Sequence, residues 1–479
     1  MTPNQATTAS SGPATARPDD HTILGHPRGL GLLFFVEMWE RFSYYGMRAI
    51  LVLYVVHVLH WRDADADSLY GWYTMGAFLT PLFGGYLADR FIGTRRSLVI
   101  GGIVIALGHF VLAVESITTF YIGLVLVAVG TGFFKPNVST MVGQLYRPGD
   151  PRRDAGFTIF YMGINSGAVL GTLVCGALAQ SPAVQGALVA AGIDPSRAWS
   201  WGFGAAGVGM LMGLTLYLWL RERYLPGIGL RTVSSAASTG SPGTSDRPAQ
   251  FAAALSREEW MRVVALLLMF FFVVFFWTVY EQAGSSLNLF ADRYVDLHVG
   301  GWSFPSSWFQ SAQPLFVILL APLAAEVWRR LLARNREPST RLKMVLGLAT
   351  IGFGCVFLIV AGRGADACVA TRAASCAVTN PAWLTLFYLF SVLGELCVSP
   401  VGLSYVTKVA PARYVGFLMG AWFLTNATAN KLAGWLAARG SELPSHVEFF
   451  SILLVIELVA AALLLLCIPW LKRLTAGAD

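Results

Sequence analysis

Charged residues are scarce in this chain: they make up 13% of its 479 residues, against about 25% in an ordinary soluble domain. Apolar residues make up 55%, and the mean hydropathy is +0.59. No stretch between the apolar segments has the composition of a folded extramembrane domain. The composition therefore excludes a soluble protein and predicts an all-α, polytopic membrane protein.

Cysteine is also rare, with six in the chain. No Cys-x-x-Cys or Cys/His spacing suggests a metal site, so we expect neither a metal nor another cofactor. Cys368 and Cys376 share one short connection, which the orientation argued below places outside the cytoplasm. An oxidising compartment favours a disulfide between them over two free thiols.

Features of other protein classes are missing as well. We expect no cleavable signal peptide, because residues 1–27 are polar, and we predict that they form a disordered cytoplasmic tail. An enzyme would show a nucleophile with its base at one membrane face, and a sensor would carry a soluble signalling domain. We find neither, so we expect no enzyme activity. The net charge of +7 belongs to cytoplasmic loops and does not indicate nucleic-acid binding.

About twelve apolar segments are long enough to cross a bilayer. The longest connection, 223–258, contains TVSSAASTGSPGTSDRP and is typical of a flexible linker. It separates a predicted six-helix bundle at 28–222 from a second at 259–479. Two such halves indicate a transporter built from repeats, with its site between them. Nothing in this architecture needs a second subunit, so we expect a monomer.

Basic residues alternate between the two ends of these segments. Pairs such as Arg95 and Arg96, or Arg152 and Arg153, occur in every second connection, whereas the others carry mostly single residues such as Arg197. The positive-inside rule then places both termini and the linker in the cytoplasm. We expect a multi-pass protein of a bacterial inner membrane.

The first apolar segment contains ionisable residues at membrane depth. Glu37, Glu40, Arg41, Tyr44 and Tyr45 follow helical spacing and fall within an arc of roughly 140° on one face. A charge at this depth costs at least a few kcal/mol and is a functional candidate by default. That face is predicted to line a polar cavity, although an ion-pair cluster inside a bundle would also explain it.

The second connection reads GGYLADRFIGTRR at 84–96. It resembles the signature loop of the major facilitator superfamily, which joins the second and third helices. The resemblance implies that fold, with about twelve transmembrane helices in two six-helix bundles. It also implies a conformational role for Gly84, Gly85, Asp89, Arg90, Gly93 and Arg95.

Six further motifs, in both halves and in the expected order, resemble those of the proton-coupled oligopeptide transporter (POT) family. They are EMWERFSYYG at 37–46, GTGFFKPNVS at 130–139, FYMGINSGA at 160–168, FWTVYEQAGSSLNLFADR at 276–293, WFQSAQPLFVILLAP at 308–322 and GELCVSP at 394–400. The resemblance implies proton-driven symport of di- and tripeptides. Relatives in this family also carry nitrate or amino acid derivatives, so another small solute is the alternative cargo.

The resemblance implies proton-handling roles for Glu37, Glu40, Arg41 and Glu281. We expect Arg41 to pair with Glu37, with Glu281 or with the substrate carboxylate, so that protonation of a carboxylate releases the cation. The implied substrate-binding residues are Arg41, Tyr45, Tyr73, Lys135, Asn165, Trp277, Gln313, Glu395, Ser399 and Trp422. Arg41 and Lys135 suit a peptide carboxylate, and Glu395, from the other half, suits its amine.

Four features outside this pattern carry their own predictions. Gln313 stands where the family more often has Asn, which puts peptide preference in doubt. The connection 223–258 is too short and polar for the two additional helices of many bacterial members. Lys431 and Glu457 are predicted to lie at similar depth and to form a structural pair. His57 is predicted to be a rim residue rather than a proton relay.

Overall fold

The structure is a computed structural model that describes residues 22–23, 25–147, 149–230, 255–371, 376–411 and 414–475. Most of the predicted tail, 1–27, lies outside the described residues. So does most of the predicted linker, since only 223–230 and 255–258 of it are described.

Within these ranges the chain forms twelve helices of nineteen residues or more. They are α1 Arg28–His57, α2 Asp63–Leu87, α3 Thr94–Leu112, α4 Ile117–Gln144, α5 Arg152–Gln180, α6 Ala198–Tyr224, α7 Arg257–Tyr280, α8 Ala312–Ala333, α9 Thr340–Thr371, α10 Pro381–Val409, α11 Val415–Gly440 and α12 His446–Leu474. Short helices cover Pro182–Ala190 and Ser286–Tyr294, and two-residue strands form β1 (Thr22–Ile23) with β2 (His26–Pro27) and β3 (His298–Val299) with β4 (Trp302–Ser303).

Helix ends follow local sequence signals. Ser256 begins α7 with a capping box, in which its hydroxyl accepts from the Glu259 amide and the Glu259 carboxylate accepts from the Ser256 amide. Asn380 caps α10 at the residue before Pro381, a position where proline loses no helical hydrogen bond. After Tyr280, α7 tightens into a 3₁₀ turn that carries Glu281 and then continues as the short helix Ser286–Tyr294.

Eight spans in the described part of the chain are long and apolar enough to cross a membrane by composition alone. The long helices outside that set are α1, α2, α8 and α11. All four contribute side chains to the polar cavity described below. Of these, α1 turns the charged Glu37, Arg41 and Arg48 toward the cavity, whereas α2 contributes Phe78.

The two groups of six helices pack mainly within themselves. In the first group α1 contacts α5 and α6, and α3 contacts α4; in the second, α9 contacts α10 and α12. The main contacts between the groups are α2 with α11 and α5 with α8. Each group has its own apolar core, and Leu289 of the second group reaches into a core of the first.

The two ends of the bundle are named here by the segments found there. At the linker face, Gly29 at the start of α1 lies against Tyr224 at the end of α6, and Arg341 at the start of α9 donates to Thr475 after α12. The opposite end, the far face, carries the connection between α1 and α2. A disulfide joins Cys368, near the end of α9, to Cys376.

The predicted signature loop lies at the linker face. Gly84 and Gly85 lie in the last turn of α2, and Asp89 and Arg90 lie in a π-helical turn, Ala88–Ile92. Gly93 follows with a φ of +84°, a left-handed conformation that suits glycine.

Arg95 of that loop is the residue that anchors it. Its Nε donates to the Ile228 carbonyl at 2.7 Å, and its guanidinium also contacts Glu222 and the Leu225 carbonyl. The loop is thereby fastened to the end of α6 and the segment that follows it.

Candidate functional site

A cavity of about 230 Å³ lies between the two helix groups and is lined by residues from both. Nearly all the predicted site residues meet there. These are Glu37, Arg41, Tyr45, Lys135, Asn165, Trp277, Glu281, Gln313, Glu395, Ser399 and Trp422. Glu40 and Tyr73 do not line it, although both are buried beside residues that do.

The predicted α1 cluster is present as a charged triad. The Arg41 Nε lies 3.1 Å from Glu37 Oε1 and in direct contact with Glu40. The three residues are at most 3% exposed. One terminal nitrogen of Arg41, Nη2, has no hydrogen-bond partner among the described residues. Arg41 can therefore keep both carboxylates and still offer a donor to an anion in the cavity.

Glu281 has a different partner from the one predicted. It forms a buried ion pair with Arg48 of α1, which also donates to the hydroxyl of Tyr70. Of the expected partners of Arg41, this conformation shows Glu37, with Glu40 beside it, while Glu281 pairs with Arg48. Arg48 lies seven residues after Arg41, so continuing the same helical face by one step would have found it.

Adding Arg48 changes the charge balance of the site. Glu37, Glu40, Glu281 and Glu395 face three cations rather than two, so the fully ionised site carries one net negative charge instead of two. An unbalanced charge in a low-dielectric cavity favours binding of one proton or one cation.

Glu395 of α10 is held by phenols. Its Oε2 accepts from the Tyr280 hydroxyl at 2.6 Å, and its Oε1 accepts from the Tyr161 hydroxyl at 3.3 Å. No described cation lies within ion-pair distance of it, and it is 7% exposed. A buried carboxylate without a cation binds either a proton or a cationic group. Tyr161 and Tyr280 were missed from sequence because a lone tyrosine in an apolar helix resembles a packing residue.

Lys135 of α4 is a cation of the cavity that has no carboxylate partner among the described residues. Its Nζ lies 4.4 Å from the centre of the Phe78 ring, and it has no carboxylate within 4.0 Å in the part of the chain that the structure describes. An aromatic face stabilises an ammonium group only modestly, so Lys135 is available to an anionic ligand group.

The neutral lining residues supply further donors. The indole nitrogen of Trp277 is buried and has no partner among the described residues, whereas Asn165 donates to the Tyr161 carbonyl at 3.0 Å. Gln313 lies 3.5 Å from the Tyr280 carbonyl, beside the phenol that holds Glu395. Its longer amide therefore lies at the end of the cavity where we expect the amine.

Contacts between the halves close the far face. His57 Nε2 lies 2.6 Å from Asp292, and Arg293 donates to both oxygens of Asp63 at 2.5 and 2.7 Å. His57 ends α1 with a side chain 45% exposed, a rim position, but it pairs across the two halves.

The predicted Lys431–Glu457 pair is wrong. Lys431 of α11 lies over the Trp72 ring of α2 at 3.9 Å. Glu457 of α12 packs instead against α9 near Gly352, fully buried and with no hydrogen-bond partner in the described ranges. The two side chains contact different neighbouring helices.

Neither a second groove nor a metal-ligand cluster offers another candidate site in the first helix group or elsewhere in the described ranges. A larger groove of about 640 Å³ among α1, α3, α5 and α6 has no ionisable residue in its lining. Within the described ranges, no three His, Cys, Asp or Glu side chains come together as metal ligands.

Comparison with known proteins identifies the family to which the chain belongs. The sequence model of the POT family matches residues 95–225 and 242–450. The chain belongs to the POT family. This POT protein is therefore a transporter of the major facilitator superfamily fold and not an enzyme.

Similarity extends over nearly the whole POT chain. The uncharacterized transporter YclF of Bacillus subtilis is 37% identical over 95% of this chain and 96% of its own. The peptide transporter YePEPT of Yersinia enterocolitica is 33% identical, over 96% and 98%. The di-/tripeptide transporter of Lactococcus lactis subsp. cremoris is 31% identical, over 93% and 96%.

A solved structure of a peptide transporter POT variant in complex with alafosfalin is similar at a TM-score of 0.81 and 34% identity. It covers 96% of this chain and 98% of its own. The POT fold is thus shared over the cavity and both helix groups.

Proposed function

We propose that this protein carries di- and tripeptides into the cell by proton symport, through alternating access of the central cavity. One observation carries the proposal: the cavity offers Arg41 and Lys135 from the first half opposite a cation-free Glu395 from the second. A peptide zwitterion has an anionic and a cationic end, which match these groups. The names of the Yersinia and Lactococcus relatives support the same cargo.

Binding across the halves supplies a mechanism. A peptide whose carboxylate contacts Arg41 and Lys135 and whose amine contacts Glu395 would draw the halves together. It therefore favours an occluded state over either open state, because only occlusion makes both contacts at once. The phenols of Tyr161 and Tyr280 hold the Glu395 oxygens in position before the peptide arrives.

Proton coupling follows from competition for Arg41. With Glu37 and Glu40 ionised, the guanidinium contacts both carboxylates through Nε, and Nη2 has no partner among the described residues. A proton on Glu37 removes one competitor and lets Arg41 turn toward the peptide carboxylate. Glu281 and Arg48 form a second pair in which a proton would release a cation. Proton and peptide thus bind more strongly together than separately.

Orientation is part of the proposal. We place the linker face on the cytoplasmic side of a bacterial inner membrane. Both termini lie on that side, since the basic clusters follow the positive-inside rule. The far face, with its interhalf ion pairs, then closes the cavity toward the outside.

Uptake of labelled dialanine into proteoliposomes tests the proposal. We expect accumulation with an inward proton gradient, loss of accumulation in Glu37→Gln, and retained counterflow exchange in that variant. Exchange without accumulation separates coupling from binding, because Gln keeps the shape but cannot ionise. Failure of the intact protein to take up any of a panel of di- and tripeptides would reject the peptide cargo, and the same liposomes would then be tested with an amino acid derivative.

A further inference from the structure

A second cavity, of about 280 Å³, lies at the far face between α2 and the second helix group. Its lining includes Asp67 of α2, a residue to which the cavity mechanism gives no role. Asp67 is 1% exposed, and neither carboxyl oxygen has a hydrogen-bond partner among the described residues. An ionised carboxylate in this position would be desolvated without compensation.

Contact between the two halves is what buries Asp67. At this level α2 crosses α11 with no side chain between the backbones: a Cβ on Gly434 would lie 2.5 Å from the Asp67 carbonyl oxygen and 2.6 Å from the Gly71 Cα. Movement of α11 away from α2 would open this crossing to water. The carboxylate of Asp67 is inaccessible to water when the far face is closed, and it would be hydrated in a state with that face open.

The charged groups around Asp67 are already committed. On its own helix, Asp63 accepts both bonds from Arg293 of the short helix Ser286–Tyr294. On α9, Asp366 accepts from the Ser445 hydroxyl at 2.6 Å and from the His446 amide at 2.8 Å, at the start of α12.

The remaining titratable groups nearby do not neutralise Asp67 either. Tyr294 lines the cavity as a neutral phenol, and His446 Nδ1 lies 2.7 Å from Asp366. On α11, Lys431 lies over Trp72, and on α1, His57 lies against Asp292. No described cation is left to pair with Asp67 in the closed state.

We infer that Asp67 must bind a proton for the far face to close. When the face is open, the carboxylate takes a proton from water on that side and forms an O–H bond, and the resulting neutral acid can be buried between α2 and α11. The inference rests on the proposed proton coupling and adds a loading site at the entrance, separate from the carboxylates of the central cavity.

The sign of the pH dependence follows directly. The closed state holds one proton more than the open state, so a rise in pH favours the open state. One proton changes the open-to-closed ratio by up to about tenfold per pH unit across the range where the two states differ in protonation. Below that range both states hold the proton, and closure is insensitive to pH.

Spin-label distances across the far face test the inference. Labels at Ser116→Cys and Glu442→Cys report on the two halves, because both residues are exposed and lie in far-face connections. Cys397 and Cys467, the partly exposed free cysteines, are replaced by alanine, while Cys175 and Cys355 are buried and stay. The labelled protein, reconstituted in lipid nanodiscs without peptide, is measured from acid to alkaline pH.

We expect the longer-distance population to grow with pH in the labelled protein. Asp67→Asn, an uncharged isostere, and Asp67→Ala should both abolish that growth and stay closed when parent and variants share a His57→Gln background, which removes the titration of the His57–Asp292 contact. Asp65→Asn is the matched control, because Asp65 lies on the same helix but pairs with Arg62 at the surface, and it should respond like the parent. An Asp67→Asn protein that opens with pH like the parent, or a parent that does not respond to pH, would overturn the inference.

The readout is independent of cargo. Loss of peptide accumulation with an intact, Asp67-dependent opening would reject the proposed function and leave the role of Asp67 standing. Normal peptide accumulation without an Asp67-dependent opening would reject the role of Asp67 and leave the proposed function standing.

Discussion

Among single residues, Glu395 is the one on which the proposed recognition of a peptide amine depends. Two phenols satisfy its oxygens, but phenols carry no positive charge, so the carboxylate still lacks the counterion that burial calls for. In the proposed function a peptide amine supplies that charge. Selectivity for a free amino terminus would then be a property of one side chain.

Glu395→Gln should weaken binding of dialanine by roughly 10- to 100-fold, which corresponds to the loss of a charge-assisted hydrogen bond worth about 1.5–3 kcal/mol. N-acetyl-dialanine, which has no ammonium group, should lose much less. Competition against a labelled peptide in detergent or liposomes measures both affinities. Thr385→Ala is the control and should bind both ligands like the parent, because Thr385 lies at an exposed position of α10 outside the cavity lining. An equal loss for both ligands in Glu395→Gln would contradict amine recognition.

The Arg48–Glu281 pair predicts a stability effect. Glu281→Gln leaves Arg48 buried without its counterion, and breaking a buried pair in this way costs about 3–5 kcal/mol. The double variant Arg48→Met, Glu281→Leu removes both charges and should recover most of the loss. Thermal unfolding in detergent measures the order of stabilities, with Glu258→Gln at the exposed start of α7 as the neutral reference. A double variant no more stable than Glu281→Gln would show that the pair stabilises beyond mutual neutralisation.

At the scale of helices, the sequence predicts which residues share one face of a helix, but not which neighbouring helix that face contacts. Periodicity placed Glu37 and Arg41 on one face of α1, since those residues belong to the same helix. It could not tell that Lys431 faces α2 while Glu457 faces α9, because the rotation of each helix is set by packing between helices far apart in the chain.

The crossing of α2 and α11 is the element on which far-face closure depends. Gly434→Ala should prevent close approach, because the added Cβ meets backbone atoms of α2 that cannot rotate away. We expect the labels at Ser116→Cys and Glu442→Cys to report an open far face at every pH. Gly416→Ala, on the same helix with nothing within 4 Å of the added Cβ, should behave like the parent. A closed far face in Gly434→Ala would show that closure does not need this contact.

At the scale of the whole molecule, two helix groups with their own cores meet along two seams, α2 with α11 and α5 with α8. The fold class was accessible from sequence because composition, segment length and motif order all act over tens of residues. The conformation could not be predicted from the sequence, since the far-face contacts of His57 and Asp63 join residues more than 200 positions apart.

Separate cores predict that chain continuity between the halves is dispensable after folding. A protease site placed between residues 240 and 241, cut in the purified protein, should leave the halves associated and peptide exchange within about twofold of the uncut protein, because neither core nor seam is cut. Size-exclusion chromatography and counterflow on the cut protein measure this. Dissociation into two fragments would mean that the seams alone cannot hold the halves.

The ion pair between Arg48 and Glu281 also bears on biosynthesis. The two residues are 233 positions apart, so Arg48 leaves the ribosome roughly 10–50 s before its counterion at ordinary synthesis rates. Arg41 has no such delay, since its partners Glu37 and Glu40 precede it in the same helix. During that interval α1 carries an uncompensated guanidinium whose placement at membrane depth costs about 2.5–3.5 kcal/mol, so a hydrated or protein-lined environment favours the helix until the second half arrives.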